Sequence, residues 1–258
     1  MGVVNVTPDS FSDGGRFFDP AAAIAHAHQL IEEGADLVDV GAESSRPGAA
    51  VVVDADEELH RLLPVLQGLR DAPAPVSVDT IKPEVMRAAL AEGASMINDI
   101  NALRAPGAIA AVAATGAAVC LMHMQGTPGT MQLHPNYADV VAEVKAFLQE
   151  RVGAAHAAGI APERIVIDPG FGFGKTLEHN LGLLRHLREF VALGVPLLAG
   201  WSRKSSLGKI TGKPTADRLA ASIAAALIAA QNGASILRVH DVAATRDALA
   251  VLAAVQKT

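Results

Sequence analysis

A short aliphatic run, then a loop rich in Gly, Pro, Ser and Asp, then an Ala- and Leu-rich stretch of helical character: this unit recurs eight times along the 258-residue chain. The aliphatic runs are GVVNV (2–6), ADLVDVG (35–41), PVSVD (75–79), SMIND (95–99), AAVCLM (117–122), RIVID (164–168), VPLLAG (195–200) and SILRV (235–239). Such runs predict strands buried on both faces, and the stretches between them predict helices. Several helical stretches end in glycine, which takes a left-handed C-terminal position without a steric penalty. The junction is written almost identically three times, as EEGAD, AEGAS and QNGAS. Pro83 stands at the start of its helix, where a missing N–H costs nothing.

Eight strand–helix units with no linker or shift of composition predict an α/β fold, a closed (β/α)₈ TIM barrel forming a single domain over residues 1–258. An open doubly wound sheet is the structural competitor, and it gives no reason for eight evenly spaced units. The first run begins at residue 2, so the expectation is that an upstream segment covers the barrel bottom. Half the residues are hydrophobic but only 3% are aromatic, so the core must be aliphatic and the few aromatic residues stand out.

Composition also excludes partners. A net charge of −6 offers no basic stripe for a nucleic-acid backbone. Cys120 is the only cysteine, which excludes a disulfide framework and a Cys-based zinc site. The start of the chain lacks the pattern of a signal peptide, and the apolar ASIAAALIAA stretch is too short to span a membrane. We therefore expect a soluble, cytoplasmic protein that binds neither membrane nor nucleic acid.

In a barrel of this kind the loops after the strands form the site face. Those positions carry Asn5 and TPDSFSDGG; ESSRPG; Asp79; Asn98 and Asp99; His123, Met124 and Gln125; Asp168 and GFGFGK; GWSRKS; and Arg238 and His240. Many polar residues there serve only as helix caps, a role that suits Asp9, Asp13, Asp99 and Asp241. Capping fits Asp79 and Asp168 poorly, because each ends an aliphatic strand and a partly desolvated carboxylate must find a donor. With Asn98 they would suit a ring edge that carries an amino group beside a ring N–H. A metal site is the rival reading of that cluster. Arg46, Lys204, Arg238 and His240 bring positive or potentially positive groups to the mouth, near the usual phosphate position after strands 7 and 8. Lys209 and Lys213 read as solvated surface charges.

The segment DPGFGFGK (168–175) alternates glycine with phenylalanine between an acid and a base. Its glycines would let the backbone run close under a flat ligand while the two rings supply apolar walls. It lacks the spacing of a P-loop.

In order along residues 2 to about 242, NVTPDSFSDGG, ESSRPGA, VDTIKPEV, INDI, HMQGTP, DPGFGFGK, GWSRKSSLG and RVHDV resemble the dihydropteroate synthases. The resemblance touches every strand–helix loop. It implies a TIM barrel, usually a homodimer, that joins 6-hydroxymethyl-7,8-dihydropterin pyrophosphate to 4-aminobenzoate, giving 7,8-dihydropteroate and pyrophosphate for folate, with sulfonamides competing for the aminobenzoate position. Carried over residue by residue, it implies pterin binding by Asp79, Asn98, Met124, Asp168, Gly200 and Lys204. It implies Mg²⁺ as cofactor on Asn5, and pyrophosphate binding by Asn5, Arg46, Arg238 and His240. For aminobenzoate it implies Phe11, Ser45, Pro47, Phe173, Lys204 and Ser205. The catalytic set so implied is Asp79, Asp168, Lys204, Arg238, His240 and Arg46.

Two positions depart from the family pattern. Ser45 stands where threonine is usual, and Trp201 where the residue after the glycine is often smaller. The loops TPDSFSDGG and SSRPGA are expected to close over the site only when ligands are bound. The related alternatives are a methyltetrahydrofolate–corrinoid methyltransferase type of barrel, which needs no pyrophosphate clamp, and a paralogue that binds pterin without turnover.

Overall fold

The computed structural model describes residues 1–6, 19–43 and 53–256. Six strands lie parallel in sequence order: β1 (Gly2–Asn5), β2 (Val38–Gly41), β3 (Val76–Asp79), β4 (Met96–Asp99), β5 (Ala118–Met122) and β6 (Ile165–Asp168). A further parallel pair, β7 (Leu198–Ala199) and β8 (Ile236–Leu237), completes the set. Bridges Ile167–Leu197 and Gly2–Val239 join this pair to β6 and β1, with Ile167 N donating to Pro196 O at 3.0 Å and Val3 N to Val239 O at 3.0 Å. The ring is therefore closed, as the eight units predict.

Helices follow the strands on the outside: α1 (Pro20–Glu32), α2 (Ala55–Gly68), α3 (Pro83–Ala91), α4 (Ala108–Ala113), α5 (Val140–Ala157), α6 (Leu177–Arg185), α7 (Arg188–Val191), α8 (Ser205–Thr211), α9 (Leu219–Gln231) and α10 (Val242–Gln256). Pro83 occupies the first turn of α3 as expected. Gly34, Gly93 and Gly233, the glycines of the three similar junctions, turn the chain at φ of 97°, 100° and 99°.

Two elements differ from the sequence reading. The stretch 177–194 is not one helix: the chain tightens after α6, with Glu189 N bonding His186 O and Phe190 N bonding Leu187 O, and both Leu187 and Phe190 enter the core. The SRKSSLG loop contains its own short helix, α8, which starts immediately after Lys204. Among the described residues, no helix is long and apolar enough to cross a membrane.

The alternation of strand side chains separates two kinds of interior. One face carries Val4, Val38, Val40, Val78, Ile97, Val119, Leu121, Ile165 and Ile167 into the core shared with the helices. The other face fills the barrel with Met96, Cys120, Val166 and Leu198. Above that layer, the same inward parity delivers Asp39, Asp79, Asn98 and Asp168 toward the mouth. Strands β1 to β7 are thus largely buried on both faces, as predicted, while Ile236 and Leu237 of β8 are only partly buried, and polarity is concentrated on the inward face.

The glycines of DPGFGFGK serve a close approach of backbone to backbone. Gly170, Gly172 and Gly174 all have positive φ, at 71°, 84° and 63°. A Cβ on Gly170 would collide with the His123 carbonyl, and one on Gly174 would meet the Gln125 carbonyl at 2.5 Å. The loop after β6 therefore lies directly on the loop after β5. The expectation of two phenylalanine walls is half corrected: Phe171 is fully buried and packs on Trp201, ring centroids 5.0 Å apart, because its glycine neighbours turn it away from the mouth. Trp201 is buried with Phe171 in the core shared with the helices. Only Phe173 stays near the mouth, against Met122 and Met124. Gly170→Ala should lower unfolding stability by about 3 kcal/mol or more, through a strained φ and a fixed backbone obstacle. Urea melts of the variant test this, and a wild-type midpoint would refute the close-approach account.

Candidate active site

The mouth is organised by Arg238, which follows β8. Its Nε donates to Asp39 Oδ2 at 2.7 Å and its Nη2 to Asp79 Oδ2 at 3.2 Å. Asn98 Nδ2 donates to the same Asp39 oxygen at 3.0 Å. One guanidinium thus joins β8 to β2 and β3 and, through Asp39, to β4. The cation is thus bonded to the site acid Asp79 itself, because a partly desolvated carboxylate is stabilised by a close cation. Burial alone would lower the Arg238 pKa, but Asp39 and Asp79 overcome it and drive the value up.

Asp39 is the residue the sequence reading missed. It is fully buried, and its Oδ1 has no hydrogen-bond partner. Its signal was present: an acid inside the aliphatic run VDVG, on the same inward parity as the other site acids. Burial first, and the neighbouring acids after it, push Asp79 up to about 7 despite Arg238.

Across the mouth, Asp168 accepts Gly170 N at 2.7 Å, and burial raises its pKa although Lys204 opposes the shift. Lys204 donates to Phe171 O, and its ammonium lies 5.0 Å above the Phe173 ring. Burial lowers Lys204 to about 8 while Asp168 and Asp79 pull the other way. Gly200 keeps space open here, since a Cβ would come to 3.8 Å from both Lys204 Nζ and Arg238 Cβ. Met124 is buried nearby with Met122, Met131 and Ile100.

The loops after β7 and β8 are tied together. His240 N donates to Ser202 Oγ at 3.1 Å, and His240 Nδ1 lies 3.0 Å from that oxygen. Arg203, at φ 58°, forms a two-point pair with Asp241 at 2.5 and 3.1 Å. Asp241 thus pairs with an arginine in addition to any capping. Asp99 does not cap a helix as expected: it accepts from Asn101 N and Leu103 N in the turn after β4, while the N-cap of α4 is Gly107. Ser205 opens α8 and is exposed.

Asn5 ends β1 opposite Gly41, on the strand next to β8. Hence Asn5, Asp79, Asn98, Met124, Asp168, Phe173, Gly200, Lys204, Ser205, Arg238 and His240 all lie on strand ends or in loops on the same face of the barrel. Phe11, Ser45, Arg46 and Pro47 lie outside the described residues, as do Asp9, Asp13 and the two loops expected to close.

A flat molecule with adjacent N–H donors would meet acceptors from Asp79, Asp168 and the Asn98 amide, and an anion would meet Arg238, Lys204 and His240. A carboxyl whose pKa is higher in the fold than in the unfolded chain holds its proton better when folded, so its contribution falls as pH rises through that window. Asp79, moved from 3.8 to about 7, should therefore make the ligand-free protein progressively less stable as pH rises from about 4 to about 7. Asp79→Asn should flatten that slope in thermal melts, and an unchanged slope would show that another group is responsible.

The comparisons follow the geometry. The pterin binding enzyme family model matches residues 1–240. The chain is 51% identical over 255 residues to the dihydropteroate synthase of Escherichia coli (strain K12), covering 98% of this chain and 90% of that one. It superposes at a TM-score of 0.94 and 57% identity on the Xanthomonas albilineans enzyme with 4-aminobenzoic acid, covering 100% of this chain and 93% of the other. A complex of the Xanthomonas albilineans enzyme with 7,8-dihydropteroate gives a TM-score of 0.91 at 55% identity, again over 100% and 93%. Closed barrel, mouth and comparisons agree: the chain belongs to the dihydropteroate synthase family of pterin binding enzymes.

Proposed function

We propose that the protein condenses 6-hydroxymethyl-7,8-dihydropterin pyrophosphate with 4-aminobenzoate, releasing 7,8-dihydropteroate and pyrophosphate for folate synthesis. The observation that carries the reading is the buried Asp39–Arg238–Asp79 bridge with Asn98 at its side. Within one mouth it supplies acceptors for a pterin edge and a fixed cation for a leaving diphosphate.

In this reading Asp79, Asn98, Asp168 and Lys204 hold the pterin, with Met124 and Gly200 along the ring. Arg238 already commits Nε and Nη2 to carboxylates, so its Nη1 edge is the one offered to pyrophosphate, with His240, Asn5 and Arg46. Phe173, Lys204 and Ser205, together with Phe11, Ser45 and Pro47, receive the aminobenzoate. The bond from the pterin methylene to oxygen breaks, the arylamine nitrogen attacks the same carbon, and that nitrogen gives up a proton. The neutral arylamine needs no strong base, so the work of the site is electrostatic. Buried carboxylates favour the positive charge developing on the pterin, and the cations favour the departing diphosphate.

Mg²⁺ belongs to this proposal. Among the described residues no group of three or more His, Cys, Asp or Glu side chains forms a metal cage. A single Asn5 amide oxygen fits an ion that keeps most of its water and binds substrate phosphates. When bound, the ion would neutralise charge on the diphosphate. A cytoplasmic homodimer completes the reading: Ile228 on α9 and Val251 and Val255 on α10 are large apolar side chains left exposed, and an alanine-rich pair of helices packs closely against a copy of itself.

Release of pyrophosphate on adding both substrates with Mg²⁺ tests the activity, and its absence would overturn the proposal. Asp168→Asn should weaken pterin pyrophosphate binding about 100-fold, whereas Arg238→Ala should reduce kcat by a similar factor through the leaving group. Isothermal titration and steady-state kinetics separate the two effects. Ile228→Glu should shift the sedimentation profile toward monomer if the dimer uses α9.

A further inference from the structure

Lys175 ends the DPGFGFGK segment and is only 3% exposed. Its Nζ lies 3.0 Å from Phe173 O, 3.0 Å from His123 Nδ1 and 3.4 Å from His123 O. The ammonium therefore sits in the seam where the β6 loop rests on the β5 loop, and contacts both. The surrounding seam is tied in the same direction. Tyr137 OH donates to Gly174 O at 2.8 Å, Gln132 Nε2 donates to Gly172 O, and Gln125 exchanges hydrogen bonds with Asn136 across the base of its own loop. His123 is wedged edge-on against Phe147, ring centroids 4.9 Å apart.

A buried charge is a costly way to fill space, since an apolar side chain of similar length removes the desolvation penalty. Burial brings Lys175 down to about 7. Burial, with Lys175 second, takes His123 to about 3, so the imidazole stays neutral and its Nδ1 can accept. What the ammonium achieves in return is geometric. It holds the Phe173 carbonyl, and the Phe173 ring lies 5.0 Å from the Lys204 ammonium.

We propose that Lys175 is a positioning residue for the aminobenzoate half of the site: by clamping the β5 and β6 loops together it sets the placement of Phe173 without touching substrate. This rests on the reading under Proposed function. Of the pterin set, Asp79 and Asn98 are held from other strands through Arg238 and Asp39, whereas Phe173 serves the aminobenzoate alone, so removing the clamp acts unequally on the two substrates.

The test is Lys175→Met, with KM for each substrate, kcat and a thermal melt. The expected result is a rise of about tenfold in the aminobenzoate KM with the pterin pyrophosphate KM changed by less than about threefold. A purely structural lysine would lower the melting temperature and the active fraction without that split. If Lys175→Met does not fold, His123→Leu removes the Nδ1 acceptor while filling its volume, and the same split is expected. Turnover by the wild type checks the underlying reading separately. Given that turnover, an aminobenzoate KM within about twofold of wild type, or an equal rise in both KM values, overturns the role of Lys175 alone.

Discussion

The arrangement of the mouth depends on one guanidinium held between two carboxylates. Arg238 is separated from Asp39 by 199 residues and from Asp79 by 159, so only the closed ring of strands brings the three together. None of them would be tolerated alone at this depth, because each would be a buried charge without a counter-charge. As a set they are pre-positioned charges at the mouth, which is the arrangement that favours charge separation without reorganisation.

The second constraint is backbone contact between neighbouring loops. A loop can rest on another main chain at this range only where it has no Cβ, and the alternating glycines after β6 supply that condition. The residues between them then have little freedom: one ring goes down against Trp201, the other stays up beside Lys204. Buried Lys175 closes the same seam from below.

Much of this was legible from single residues. Asp79 and Asp168 stood out because an acid at the end of an aliphatic strand is hard to explain as a cap, and both lie at the mouth. Asp39 carried the same signal but was read as part of the aliphatic run, since its neighbours are valines. Counting by twos along the strand separates it from them. Phe171 and Phe173 look equivalent in sequence and have opposite fates, one buried against Trp201 and the other beside Lys204, because the glycines that flank them at 170 and 174 are pressed against the His123 and Gln125 carbonyls. The break between α6 and α7 was invisible for a similar reason: the segment has helical composition throughout, and only the need to bury both Leu187 and Phe190 tightens it.

By itself the sequence determined the number and order of the strand–helix units, the aliphatic character of the core and the chemical types gathered at one end of the barrel. Those properties follow from local periodicity and composition, which each segment carries independently. Tertiary structure alone decided who partners whom: that Arg238 turns to Asp39 and Asp79, that Asn98 shares the same carboxylate, and that Lys175 meets the His123 loop. Pairing of buried charges is a contest among all groups within a few ångströms, and distance across a closed ring is not written in any single stretch of chain.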